Sequence, residues 1–126
     1  MEVKNLKNEL AYVPVNPQSG IKLVKMTGDE HISVYAAEIL PKTRLNPHYH
    51  LQGIETYQVL QGKGLMKIGR LVNGSPIWDE TFEAVEGDFF SILENQVHQI
   101  SNETEHILKM IFSCPESHVG DDRHFI

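Results

Sequence analysis

Residues 46–62, NPHYHLQGIETYQVLQG, contain the pattern that decides the fold of this chain. His48 and His50 are separated by one residue, and Glu55 follows after four more residues. On an extended segment, residues i and i+2 point to the same side. The two imidazoles can therefore aim at one point, while Tyr49 between them faces the opposite side.

The segment ETYQVL, residues 55–60, has the alternation of a β-strand that places Glu55, Tyr57 and Val59 on one face. If that face is the interior, Glu55 is a carboxylate among apolar side chains and needs a partner charge. A cation beside two imidazoles supplies that charge. Because two neutral imidazoles and a carboxylate suit a borderline divalent ion, the segment predicts a site for Fe, Mn, Ni, Co, Cu or Zn.

A fourth candidate ligand is His98, in the alternating segment VHQIS at residues 97–101. The residues before it, EGDFFSILENQ, have the form of a turn, a strand and a second turn. This order predicts that a neighbouring strand brings His98 to the mouth of the same pocket. Tyr57 shares the face of Glu55 and is a candidate catalytic residue that can donate its phenol to a ligand. Core packing of the same ring is the alternative interpretation.

The rest of the chain repeats short apolar or alternating runs that end in turn residues about every 8–12 residues. No stretch keeps a helical stripe for three turns, and a helix at residues 2–10 would be short. The segment LVNGSPIW, residues 71–78, is typical of a β-hairpin because Asn-Gly supplies the positive φ angles of its turn. The pattern predicts an all-β sandwich or small barrel. With 126 residues, we expect one domain over residues 1–126.

Charge and hydropathy argue against several classes of function. The formal net charge is −6, which argues against nucleic-acid binding through Lys and Arg. No apolar run approaches the roughly 18–20 residues of a transmembrane helix, and the N-terminus lacks the apolar core of a secretory signal. We therefore expect a cytoplasmic protein with no membrane contact. The one cysteine, Cys114, ends an apolar run and is interpreted as a packing residue rather than a catalytic thiol.

These residues resemble the two sequence motifs of the cupins, a superfamily of jelly-roll or double-stranded β-helix barrels. The first motif is G-x5-H-x-H-x(3,4)-E-x6-G. It matches at His48, His50, Glu55 and Gly62, and Lys42 stands at the place of its leading glycine. The ligand residues and the closing glycine of this motif are therefore all present.

The second cupin motif is G-x5-P-x-G-x2-H-x3-N. It matches at Gly87, His98 and Asn102 with the expected spacing. Leu93 replaces the proline and Asn95 replaces the second glycine, so the departures lie in the loop before His98. The two motifs cover residues 42–102, and the strand pattern extends the resemblance over most of the chain.

The resemblance implies that His48, His50, Glu55 and His98 bind one divalent transition metal and leave up to two positions for water or substrate. Small cupins include dioxygenases, which are oxidoreductases, as well as decarboxylases and isomerases. The implied function is a metalloenzyme that acts on a small oxygen-rich ligand such as a carboxylate, an enol or a sugar. A non-catalytic binding or sensor module of the same fold is the alternative, so whether the chain is an enzyme stays open.

Two other expectations concern function and assembly. A metal-free sugar-nucleotide epimerase of the related barrel type would leave Glu55 and His98 without a role, which argues against it. Single cupin domains commonly pair, and the resemblance implies a homodimer in which residues 9–15, ELAYVPV, are a candidate contact.

The remaining histidines have no ligand-type spacing to this site. They are interpreted as surface or capping residues: His31, His106, His118 and His124. The polar C-terminal segment SHVGDDRHFI, residues 117–126, has two open interpretations, a mobile lid and part of a subunit contact. Met66 and Ile68 alternate on one face and are predicted to lie in the core.

Overall fold

The computed structural model describes residues 1–126. One α-helix, α1, spans Leu6–Tyr12, and a 3-10 turn spans Glu116–Val119. Neither segment is long and apolar enough to cross a membrane. The strands are β1 (Ile21–Gly28), β2 (Ser33–Ile39), β3 (Thr43–Arg44), β4 (His48–Tyr49), β5 (Glu55–Gln61), β6 (Lys63–Val72), β7 (Ser75–Val85), β8 (Phe89–Ile92), β9 (Val97–Asn102), β10 (Leu108–Cys114) and β11 (His124–Phe125).

The strands form two antiparallel sheets. The first sheet has the order β1-β2-β10-β5-β8, and the second has the order β11-β4-β9-β6-β7, with β3 also paired to β9. Strands that are distant along the chain are therefore neighbours, as β10 is between β2 and β5. The predicted all-β jelly-roll architecture is confirmed, in the form of two facing sheets that are not closed into a barrel.

The core lies between the sheets and is built from alternate residues of their strands. On β5 the buried positions alternate with more exposed ones, and β10 shows the same pattern. Met66 and Ile68 on β6 are buried in this core, as the alternation predicts. Each large apolar side chain that is fully buried contributes about 1.5–3 kcal/mol to folding. The two sheets are therefore held face to face mainly by this apolar layer.

Positive φ angles occur at the turns that the sequence pattern indicates. The β6–β7 hairpin turns at Asn73 and Gly74, with φ angles of 50° and 79°. Lys42 and Asn95, which replace the glycines of the two motifs, also have positive φ angles of 58° and 67°. Asn adopts this left-handed region more readily than most residues, whereas Lys does so at a cost. The turn before His98 therefore keeps a backbone conformation that glycine would favour.

The helix begins at Leu6, four residues after the start of the predicted segment 2–10, and ends at Tyr12, two residues beyond its end. The side chain of Asn5 caps it by accepting hydrogen bonds from the backbone N–H groups of Lys7 and Asn8. Leu10 is the buried residue of the helix, and α1 packs against β1 and β2. The helix ends at Tyr12 because Val13 is extended before Pro14.

The C-terminal segment lies along the second sheet. After the 3-10 turn, β11 pairs with β4, so that His124 is opposite Tyr49 and Phe125 is opposite His48. The chain terminus is therefore placed beside the strand that carries the first candidate metal ligand.

Candidate metal centre

The four candidate ligands come from both sheets and meet at one end of the core. His48 lies on β4 and is the direct cross-strand partner of His98 on β9. His50 follows β4 by one residue, and Glu55 is the first residue of β5 in the facing sheet. The bend between His50 and Glu55 thus carries the chain from one sheet to the other.

The three imidazoles are clustered closely. The ring centroids of His48 and His98 are 4.2 Å apart, those of His48 and His50 are 5.0 Å apart, and those of His50 and His98 are 5.2 Å apart. One nitrogen from each ring lies within 4.8 Å of the others. Glu55 joins this cluster, since its Oε2 lies 2.9 Å from the Nε2 of His50.

Each of these imidazoles is oriented by a hydrogen bond from its Nδ1 to a backbone carbonyl. The distances are 3.1 Å from His48 to Asn46, 2.6 Å from His50 to Asp122 and 3.1 Å from His98 to Gln96. A carbonyl can only accept, so Nδ1 carries the proton and Nε2 keeps its lone pair. This is the usual arrangement of metal-binding histidines.

Two of the Nε2 atoms have an unusual environment. The Nε2 atoms of His50 and His98 are buried and have no hydrogen-bond partner. The Nε2 of His50 faces Glu55 Oε2 at 2.9 Å, but with the ring proton on Nδ1 both atoms are acceptors and cannot bond to each other. A buried polar atom without a partner costs folding free energy. An ion among the three rings would satisfy both atoms, so the donor set fits a divalent metal.

Burial and neighbouring groups hold three of the candidate ligands in the protonation states that a metal requires. Burial, assisted by the nearby His98, lowers the pKa of His48 to about 3. Burial also lowers the pKa of His98. Burial alone would raise the pKa of Glu55, but the hydrogen bond from His118 and the close imidazole of His50 outweigh it and lower that pKa. The site therefore offers neutral imidazoles at His48 and His98 and an ionised carboxylate at Glu55 near neutral pH.

His118 also belongs to this cluster, and its predicted role at the surface or in a cap is wrong. Its exposed fraction is 2%. Its ring stacks on that of His50, with 3.9 Å between the centroids and 2° between the planes. Its Nδ1 donates to Glu55 Oε2 at 3.0 Å. The sequence carried no spacing signal for this contact, because 63 residues separate the two side chains.

The hydrogen bonds of His118 distinguish it from the other three imidazoles. Its Nδ1 faces the carboxylate of Glu55, and its Nε2 lies 2.6 Å from the carbonyl oxygen of Gln52. Both partners are acceptors, so both ring nitrogens donate and neither has a free lone pair. Burial opposes the charged form, but the bonds to Glu55 and Gln52 outweigh it and raise the pKa of His118. His50, Glu55 and His118 also form a compact group of ligand-type side chains. Because both ring nitrogens of His118 donate, the ring is protonated and serves as the charge partner of Glu55 rather than as a ligand.

Asp122 connects the C-terminal segment to residues 50–52 through three hydrogen bonds. Its carboxylate accepts hydrogen bonds from the backbone N–H groups of Leu51 at 2.8 Å and Gln52 at 3.0 Å. Its backbone carbonyl accepts the bond from His50. His124 is half-buried and bonds to the same carboxylate, whereas His31 and His106 are exposed. The segment at residues 117–126 therefore helps to build the site.

Tyr57 and Cys114 lie next to this cluster and remain protonated. Tyr57 is buried in the core, and burial and the charge of Glu55 raise its pKa well above the usual value. Its ring meets that of His98 edge-on, with 6.3 Å between centroids. Burial, assisted by the charge of Glu55, raises the pKa of the Cys114 thiol to about 12. Tyr57 can therefore donate a hydrogen bond, and Cys114 is unsuited to act as a nucleophile.

Comparison with known proteins adds a fold assignment to this geometry. Neither protein-family models nor curated proteins match the chain by sequence. Among solved structures, the cupin domain of Cnp3 from Schizosaccharomyces pombe superposes with a TM-score of 0.66 and 15% identity, over 84% of this chain and 66% of that one. The chain has the cupin fold.

Oxalate oxidase and KdgF are among the other structures with this cupin fold. Oxalate oxidase in complex with the substrate analogue glycolate matches with a TM-score of 0.73 and 17% identity, over 94% of this chain and 61% of that chain. KdgF from a Halomonas species matches with a TM-score of 0.65 and 16% identity, over 82% of this chain and 85% of that chain. The chain thus spans less than two thirds of the oxalate oxidase chain. At these identities the likeness shows the fold alone.

Proposed function

We propose that this chain binds one divalent transition metal through His48, His50, Glu55 and His98. The observation that carries the proposal is the state of the imidazole nitrogens. The Nδ1 atoms of the three histidines are bonded to carbonyls, while two of their Nε2 atoms are buried without a partner. Such an arrangement costs free energy in the metal-free chain and is repaid when an ion fills the cluster.

The metal would serve a reaction on a small oxygen-rich organic substrate, of the dioxygenase, decarboxylase or isomerase type. A divalent ion in this site supplies a Lewis acid for an oxygen of the substrate, and a redox-active one also supplies electrons. The fold supports this proposal by analogy, because oxalate oxidase binds the small acid glycolate on the same fold.

The roles of the side chains follow from their contacts. Glu55 holds negative charge at the centre of the site, and His118 fixes its position with a hydrogen bond. His50 and His98 are almost completely buried, which excludes water from one side of the site. Tyr57 is proposed to donate its phenolic proton in a hydrogen bond to a bound ligand. Its raised pKa makes it a poor general acid near neutrality.

A binding or sensor module without turnover is the second candidate function. Two buried groups beside the site, Tyr57 and Cys114, favour this function because both stay protonated. Burial raises the pKa of the Tyr57 phenol and of the Cys114 thiol, so neither group is set to exchange a proton near neutral pH. In such a module, the same metal and pocket would hold a small ligand and report its presence.

Metal analysis of protein purified without added metal tests whether the proposed site binds an ion. We expect nearly one divalent ion per chain in the wild type and in the control variant His106→Ala, whose side chain is exposed. The His50→Ala variant should lose the ion while it remains folded by circular dichroism. Equal and negligible metal in wild type and His50→Ala would refute the metal site.

Turnover separates the two candidate functions. Fe(II)- and Mn(II)-loaded protein is incubated with a panel of small acids, enols and sugars while O2 uptake and product formation are followed. Conversion that is absent from the His50→Ala variant supports the enzyme. Binding of a panel member without conversion, at any metal loading, supports the sensor module.

A homodimer remains a prediction for the assembly. Within residues 9–15, Leu10 is buried inside the chain, whereas the side chain of Tyr12 is exposed and free for a contact with a second copy. Sedimentation of the wild type and of Tyr12→Ser in analytical ultracentrifugation tests it. A monomer for the wild type at all concentrations would refute the dimer.

A further inference from the structure

A cavity of about 980 Å³ lies beside His48, between the N-terminal segment 14–19 and the C-terminal strand β11. Its size is at the upper end of the range, roughly 300–1,000 Å³, that is usual for small-molecule sites. Much of its wall is apolar, through Ile21, Leu23, Leu45 and Phe125. His48 is the point at which this cavity reaches the candidate metal centre.

The charges in the wall all have one sign. Arg44 and Arg123 are the formally charged residues of the lining, and no Asp or Glu lines the cavity. The chain as a whole has a formal net charge of −6, so a cavity with only cationic side chains departs from the average surface. A concave site lined by one sign of charge attracts ligands of the opposite sign.

The two arginines differ in their partners. Arg44 donates to the carboxylate of Glu103 at 3.0 Å, which neutralises it. Arg123 forms no ion pair with the chain, and its guanidinium carbon lies 5.2 Å from the ring centroid of Phe125. The ring of Phe125 lies 5.7 Å from that of His48. One unpaired cation is therefore held on an aromatic ring that also borders the metal centre.

An unsatisfied hydroxyl also lies in this wall. Ser19 belongs to the lining, and its buried hydroxyl oxygen has no hydrogen-bond partner. The side-chain oxygen of the nearby Asn16 does not bond to this hydroxyl, because it accepts a hydrogen bond from the backbone N–H of Gln18. Rotation about the Cα–Cβ bond of Ser19 would offer the hydroxyl to a ligand in the cavity.

We propose that this cavity binds a small organic carboxylate with an apolar body. The carboxylate pairs with Arg123, the body packs against Phe125 and Leu45, and the opposite end of the ligand faces His48. An arginine and a carboxylate form charge-assisted hydrogen bonds that a neutral amide cannot replace. The proposal rests on the proposed function for the role of the end that faces His48, whereas binding of the anion itself needs no metal.

Fluorine NMR titration with para-fluorobenzoate and its neutral analogue para-fluorobenzamide tests the cavity. The titration uses the wild-type chain, first metal-free and then loaded with Zn(II). We expect the wild type to bind the acid at least about tenfold more tightly than the amide, and Arg123→Gln to remove that preference. Arg70→Gln is the matched control, because Arg70 lies on the β6–β7 hairpin and pairs with Asp79. It should bind the acid as the wild type does.

Equal affinity of the wild type for the acid and the amide would overturn the proposal, and so would an unchanged preference in Arg123→Gln. The comparison of two ligands on the wild type decides the matter even if a variant does not fold. Mn(II)-loaded protein then locates the ligand, since Mn(II) at the centre should broaden the fluorine signal of the acid. A chain that binds the acid but no metal would refute the proposed function and leave the anion cavity standing. A chain that binds metal but not the acid would refute the anion cavity and leave the proposed metal site standing.

Discussion

The Nδ1 atom of His118 lies 3.0 Å from the Oε2 atom of Glu55. The side chains of both residues are almost inaccessible, with exposed fractions of 1% and 9%. An ionised carboxylate at this depth requires a compensating charge. The C-terminal segment therefore supplies the charge that lets Glu55 stay ionised before a metal enters, and the candidate site depends on residues well beyond the two cupin-like motifs.

Replacement of His118 should destabilise the metal-free chain. In His118→Ala the carboxylate of Glu55 loses its hydrogen bond and its charge partner, which costs about 3 kcal/mol of unfolding free energy for a buried pair. Urea unfolding in the presence of a chelator measures this loss. The loss should shrink when metal is added, because the ion replaces the missing positive charge at Glu55.

The control for that experiment is His31→Ala, since the side chain of His31 is exposed and lies outside the cluster. It should unfold as the wild type does, within about 0.5 kcal/mol. If His118→Ala also unfolds like the wild type, the pair contributes no net stability and Glu55 takes up a proton in its place.

The sequence predicted the part of the site that local spacing encodes. His48 and His50 point to one side because they alternate on an extended segment, and Glu55 begins the next strand. His118 could not be found this way, because the contact arises from how the C-terminal segment folds back over the loop at Gln52. His118 lies in a 3-10 turn, and the strand that follows it, β11, has two residues, which is too short to give an alternation pattern.

The two residues that replace motif glycines keep the backbone conformation of glycine. Lys42 and Asn95 stand where glycine is expected, and both adopt positive φ angles. The turn at Asn95 is held by tertiary contact, since its backbone N–H donates to the carbonyl of His50 at 2.8 Å. Sequence spacing alone could not show that the backbone would keep a glycine-like conformation, because hydrogen bonds from another part of the chain stabilise it.

Asp122 should control metal affinity without being a ligand. Asp122→Ala removes the acceptor of the Leu51 and Gln52 N–H groups, which loosens the loop that carries His50. Loss of such an orienting partner typically lowers metal affinity about 10–100-fold. Competition with a chromophoric chelator measures this change. Asp121→Ala is the matched control, since its side chain is exposed, and equal affinities of the two variants would contradict the orienting role.

The stability of the metal-free chain should fall as the pH is lowered below about 6.5. The pKa of His48 is about 3 in the folded chain, against an ordinary value of 6.5. Between these values the unfolded chain binds more protons than the folded chain, so the unfolding free energy decreases as the pH falls. This contribution is fully present above the ordinary pKa and is lost progressively below it.

Urea unfolding of the wild type and His48→Gln in chelator, at several pH values between about 7 and about 4.5, measures this dependence. The variant cannot take up a proton at this position, so its unfolding free energy should fall less steeply than that of the wild type. Parallel pH dependences for the two proteins would show that His48 titrates normally when folded.

Gly62, the closing glycine of the first motif, should tolerate no side chain. Its φ angle is +87°, and a Cβ atom would lie 2.5 Å from the carbonyl oxygen of Ile107. Gly74 is the matched control, because its φ angle is +79° but a Cβ atom there would have no neighbour within 4 Å. Gly74→Ala should cost about 1 kcal/mol for the left-handed conformation alone. Gly62→Ala must also displace the backbone before β10, and should therefore lower the urea midpoint clearly more than Gly74→Ala. Equal midpoints would mean that this backbone yields without cost and that conformation alone accounts for the glycine at position 62.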